Sequence, residues 1–125
     1  MDDESRAQQG TAIRREVLGN DHVDRAEAST TDFTAPFQDF ITRYAWGDIW
    51  SRPGLSRAER SIITLTALAI LRQEHELAMH VRGALANGLA PAQIQEVLLQ
   101  VAVYAGVPAA NRAFAIAGDV LENAT

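Results

Sequence analysis

Ser56-Arg57-Ala58-Glu59-Arg60-Ser61-Ile62-Ile63-Thr64-Leu65-Thr66-Ala67-Leu68-Ala69-Ile70-Leu71 is the stretch on which the fold turns. Its opening Ser-x-x-Glu is a capping box, in which the serine oxygen accepts from the third amide and the glutamate reaches back to the serine amide. A helix therefore begins at Arg57. Beyond it Ile62, Ile63, Leu65, Leu68, Ala69, Ile70 and Leu71 leave hardly any polar face. A helix apolar nearly all round belongs in the middle of a fold or at a subunit interface.

Working outward, the next helix runs from about Gln73 to Asn87 and stops at Gly88. Another starts at Pro91 and continues through Ile94, Val97, Leu98, Val101 and Tyr104, although Ala90 offers no oxygen to cap it. Gly106-Val107-Pro108 makes a corner, and a last helix covers about Ala110 to Leu121. On the other side, residues 1–9 are polar and are expected as a flexible tail. Ile13 to Leu18 reads as a short helix closed by Gly19-Asn20, with a second short helix from Val23 to Ala28. Phe33, Phe37, Phe40, Ile41 and Tyr44 recur at helical spacing, which predicts a helix from Ala35 to Tyr44 with Pro36 in its first turn. Trp46 to Leu55 breaks that period, and Pro53-Gly54 predicts a turn-bearing connection. No segment alternates as a strand does. The expectation is one all-α domain over residues 10–125, of about five or six helices packed around the helix from Arg57.

Composition narrows the chemistry. The 125 residues, 47% of them apolar, suit one globular domain with a real core. There is no cysteine and no lysine, so thiolate nucleophiles, redox dithiols and Schiff bases are closed, and acid–base and electrostatic catalysis remain. A net charge of -5, with the 11 cations all arginines scattered along the chain, argues against a nucleic-acid partner. Neither a secretory leader nor a membrane span is expected, which makes the cytoplasm the default.

The run Gln73-Glu74-His75-Glu76-Leu77-Ala78-Met79-His80 places Glu76 and His80 one turn apart, beside an apolar stripe of Leu77, Val81, Ala84 and Leu85. An imidazole next to a carboxylate at a core edge is poised for proton transfer; the same spacing also describes a plain surface pair. His75 projects from another face and, like His22, is expected in solvent. No metal site is expected, because His75 cannot converge with His80. Ser51, Ser56 and Ser61 lack the setting of a nucleophile elbow, and no glycine-rich phosphate loop occurs. Trp46 and Trp50, near Tyr44, Arg43 and Arg52, fit either the apolar wall of a pocket with charged fasteners or aromatic packing. Arg60 lies on the apolar helix, where a cation needs an anionic partner.

Three blocks carry a resemblance: Arg43-Tyr44-Ala45-Trp46-Gly47-Asp48-Ile49-Trp50-Ser51-Arg52-Pro53-Gly54-Leu55, Glu76-Leu77-Ala78-Met79-His80-Val81-Arg82-Gly83-Ala84-Leu85, and Tyr104-Ala105-Gly106-Val107-Pro108-Ala109-Ala110-Asn111. Together, from about Ile13 to Leu121, the chain resembles the carboxymuconolactone decarboxylase family of the alkyl hydroperoxidase D-like superfamily. Redox members of that superfamily carry Cys-x-x-Cys-x-x-x-His, whose places here hold Gln73, Glu76 and His80, so the histidine stays without the thiols. The resemblance implies small all-helical subunits that associate, often as hexamers, and a cofactor-free loss of CO2 from a small anionic unsaturated lactone. It implies His80 as general acid or oxyanion donor, Glu76 orienting it or relaying its proton, Arg43 and Arg60 holding carboxylates, and Trp46 and Trp50 as a dry wall. Two other classes compete: a noncatalytic helical oligomer binding a small organic acid, and an interaction module using its apolar helices.

Overall fold

The structure is a computed structural model and describes residues 2–124. The described residues form seven α-helices and one π-helix, with no strand: α1 Asp3–Leu18, α2 Asn20–Ala28, α3 Ala35–Phe40, the π-helix Ile41–Ile49, α4 Arg57–Ile70, α5 Glu74–Ala86, α6 Pro91–Ala105 and α7 Val107–Asn123. The all-α expectation stands, with seven α-helices in place of five or six. Within the chain two compact units are distinguished, Met1–Leu55 and Ser56–Thr125.

In the N-terminal unit the expected tail is helical from Asp3. Asp2 is the reason: its carboxylate accepts from the Ser5 amide at 2.7 Å, and Asp3 and Glu4 follow in the first turn, where the helix dipole favours anions. Arg6 then links its own helix to the π-helix, bonding Asp3 and, at 3.0 Å, Asp48. α1 and the π-helix meet backbone to backbone at Gly10 and Gly47, both buried. Ile13, Val17 and Trp46 fill the small core beside that crossing. The aromatic segment expected as a connection is thus wound up to Ile49. Its ladder is wide, with the Trp50 amide donating to the Ala45 carbonyl at 2.9 Å. Hydroxyls compete for carbonyls at both ends, Thr42 for that of Gln38 at 2.9 Å and Ser51 for that of Gly47 at 2.5 Å, a contest that loosens an α-helical ladder.

In the C-terminal unit α4 begins with both halves of the capping box, Glu59 amide to Ser56 Oγ at 3.1 Å and Ser56 amide to Glu59 Oε1 at 2.8 Å. Leu65 and Ala69 of α4, Leu77, Val81 and Ala84 of α5, Ile94, Leu98 and Val101 of α6, and Ala113, Ala117 and Val120 of α7 form one core. α4 is buried on one side only: Ile63 and Ile70 are 55% and 45% exposed. Three helices cannot surround a fourth whose apolar residues point in every direction, so the second apolar face stays outside. The weak cap at Ala90 has an answer, because the Gln93 side chain accepts the Ala90 amide at 2.8 Å and Pro91 removes one further donor. Gly106, at φ 99°, makes the corner into α7, which starts at Val107 rather than Ala110.

No described helix is long and apolar enough to cross a membrane.

Candidate functional site

The expected residues fall in both units, Arg43, Trp46 and Trp50 in the first and Arg60, Glu76 and His80 in the second. Within the first unit Arg43 is held in place: its Nε faces both carboxylate oxygens of Asp39 at 2.9 Å, and its guanidinium also donates to the Asp3 carbonyl. Trp46 is 5% exposed and belongs to the core, with Trp50 stacked on it at 5.0 Å between centroids and 28° between planes. Of the two uses open to these tryptophans, packing is the one their own unit displays. A further cation is partly withdrawn from water: half-buried Arg14, whose guanidinium is pushed down from its ordinary pKa by burial, with Glu27 opposing the shift.

In the second unit Glu76 and His80 share one face of α5, a turn apart. Glu76 is exposed and His80 half-buried, between the buried neighbours Leu77 and Val81. His75 is exposed; His22, on α2, is half-buried rather than solvated. Arg60 is half-buried in the first turn of α4, and α4 and α5 pack against each other. A half-buried imidazole one turn from an exposed carboxylate has the chemistry to exchange a proton with water. Among the described residues no three His, Asp or Glu side chains converge as metal ligands would.

Two grooves open on the same unit. The larger, about 570 Å³, lies between α4 and α6 and is lined mainly by Ile62, Ile70, Val97, Val101 and Tyr104; the second, about 410 Å³, lies between α6 and α7. Glu76 and His80 line neither. Glu76 and His80 are therefore a feature apart from both grooves, the larger of which carries polar groups of its own in Thr66, Glu96, Gln100 and Tyr104.

Two polar links were invisible in the sequence. Ser61, 2% exposed, accepts from Asn87 Nδ2 at 2.8 Å, tying the start of α4 to the end of α5. Arg112 of α7 grips Glu74 with a two-bonded fork, Nε to Oε2 at 3.0 Å and Nη2 to Oε1 at 2.6 Å. That guanidinium lowers the Glu74 carboxyl below its ordinary range, and Glu74 raises Arg112 in return.

The described residues define a class: an all-helical protein that carries an imidazole and a carboxylate one turn apart on one helix. The chain belongs to the carboxymuconolactone decarboxylase family, whose model matches residues 35–119. It is 45% identical over 98% of its length to a 4-carboxymuconolactone decarboxylase from Acinetobacter baylyi, covering 92% of that protein. It is 41% identical over 86% of its length to a nitrosuccinic acid decarboxylase from Metarhizium robertsii, covering 76% of it. A short 4-carboxymuconolactone decarboxylase sequence from Pseudomonas putida is covered in full, at 48% identity over 48 residues.

Proposed function

We infer that this chain is a carboxy-lyase that converts 4-carboxymuconolactone to 3-oxoadipate enol-lactone without a cofactor, in the protocatechuate branch of aromatic catabolism. The observation that carries the reading is its 45% identity, over 98% of the chain, to a 4-carboxymuconolactone decarboxylase. The substrate supplies its own electron sink. Its scissile carboxylate sits on the ring carbon joined through the double bond to the lactone carbonyl, so the electron pair left by CO2 spreads onto the carbonyl oxygen as a dienolate. Nitrosuccinic acid, named for the second relative, likewise carries an electron-withdrawing group, its nitro substituent. What such a substrate needs from protein is a grip on its carboxylates, a hydrogen-bond donor at the developing oxyanion, and a proton for carbon.

His80 is assigned the oxyanion donor and general acid, with Glu76 orienting it and returning protons from solvent. The support is their shared face and their gradient of exposure. Arg43 and Arg60 are assigned the carboxylate-holding role, Arg43 already facing Asp39 through its guanidinium. Association of like chains belongs to the same reading, supported by the outward apolar residues Ile62, Ile70 and Tyr104 around the α4–α6 groove.

The test is to supply the lactone and follow CO2 and enol-lactone together. Wild-type turnover is expected, with kcat lower by about a hundredfold or more in His80→Ala. Wild-type protein that binds the lactone without releasing CO2 sinks the decarboxylase reading, and a fully active His80→Ala removes that residue from the mechanism.

A further inference from the structure

Three successive helices carry a side chain able to form a cap at their third position: Glu59 in α4, Glu76 in α5 and Gln93 in α6. Two of them do so. Glu59 accepts the Ser56 amide and Gln93 the Ala90 amide, each at 2.8 Å. Glu76 has no such option, because the equivalent amide, that of Gln73, already donates to the Leu68 carbonyl at 3.0 Å. The cause lies one residue earlier. Arg72 adopts φ 57°, its amide donates to the Ala69 carbonyl at 3.3 Å, and the pair of bonds closes the end of α4. Nor does the Gln73 side chain cap the first turn of α5. A helix end without caps frays, and Glu76 lies within that turn.

We propose that the Glu74–Arg112 fork replaces the missing cap of α5, so that Glu74 and Arg112 are positioning residues that keep Glu76 in helical register and its carboxylate available to His80. This rests on the proposed function for its catalytic consequence, but its structural half stands alone. The fork joins the first residue of α5 to α7, and its planar two-bond geometry fixes direction as well as distance. Both partners are about half exposed, and such pairs contribute little to global stability. An effect on catalysis larger than the effect on stability is therefore the signature of positioning.

The experiment uses the full chain and four variants: Arg112→Gln, Glu74→Gln, the exchanged pair Glu74→Arg with Arg112→Glu, and Gln93→Ala as a control that uncaps α6. Without substrate, hydrogen exchange at the Leu77 amide, which donates to the Gln73 carbonyl at 2.8 Å, should quicken about tenfold in Arg112→Gln and recover in the exchanged pair. Unchanged exchange there overturns the proposal whatever the enzyme does. With the lactone, kcat should fall about tenfold or more in Arg112→Gln and Glu74→Gln at little change in KM, while Gln93→Ala lowers the melting temperature and keeps kcat. A kcat loss that merely follows the melting temperature across all the variants overturns the proposal. Faster exchange at Leu77 in a protein with no wild-type turnover would count against the decarboxylase and for the clamp.

Discussion

Replacing Gly10 by alanine should destabilise the N-terminal unit, although residue preference alone says the reverse. In an ordinary helix interior the change gains about 1 kcal/mol. Here the new methyl would stand 2.9 Å from the Thr42 carbonyl carbon and 3.0 Å from the Gly47 nitrogen, and would overlap the Thr42 carbonyl oxygen. Favourable contacts between heavy atoms need about 3.5–4.0 Å, so α1 has to retreat from the π-helix by more than about 1 Å. The obstructing atoms are backbone and cannot swing aside. A retreat of that size forfeits about half or more of each dispersion contact across the crossing, where Ile13, Val17 and Trp46 pack. With overpacking at about 3 kcal/mol and the helix gain subtracted, the net loss is about 2 kcal/mol. Gly118 supplies the contrast: it lies inside α7 with nothing within 4 Å of a new methyl, so Gly118→Ala should gain up to about 1 kcal/mol. Urea unfolding separates the two cleanly. Both tryptophans of the chain lie in the N-terminal unit, so their fluorescence follows that unit, while far-ultraviolet dichroism follows all the helices. A Gly10→Ala midpoint equal to or above that of wild type would refute the close-crossing argument.

Two further outcomes follow from local geometry. Arg72→Gly should raise the melting temperature of the C-terminal unit by a few degrees, equivalent to about 0.5–1 kcal/mol, because φ 57° burdens a side chain and suits glycine; calorimetry that shows a decrease would place the value of Arg72 in its charge beside Glu74. Acid should weaken the helix ends together. The Ser5 amide lowers Asp2, the Ser56 amide lowers Glu59 and Arg112 lowers Glu74, from ordinary values of 3.8, 4.5 and 4.5. A carboxylate lowered by folding contributes fully above its unfolded pKa and loses that contribution as pH falls through the folded one. Melting temperature should therefore be flat on this account above about pH 5 and fall below about pH 4.5, less steeply in Glu59→Gln and Glu74→Gln; identical slopes in all three proteins would dismiss these caps as the cause.

Much of the local structure was legible because its causes lie within a few residues. The Ser56 box, the stops at Gly19 and Gly88 and the prolines at helix starts all appear where their chemistry puts them. Polarity alone makes residues 1–9 resemble a tail, whereas the Asp2 carboxylate, accepting the Ser5 amide, starts the first helix there. From Trp46 the spacing fails the α-helical period, as a connection does; a wider turn also fails that period, and nothing in the residues alone tells the two apart.

The sequence by itself determined an all-helical chain, the alignment of Glu76 with His80, and the exclusion of thiol and Schiff-base chemistry. Helical period, capping oxygens and side-chain inventory are properties of near neighbours, and they survive any change of packing. Tertiary structure decided the rest: that Arg43 faces Asp39 in its own unit, that Trp46 is core, that α4 keeps an apolar face outside, and that Glu74 finds Arg112 on another helix. Those outcomes depend on which helices meet and at what depth. The competition for the Gln73 amide shows the point most plainly, since a capping glutamate can be recognised in sequence, but whether the amide is still available is settled by how the previous helix ends.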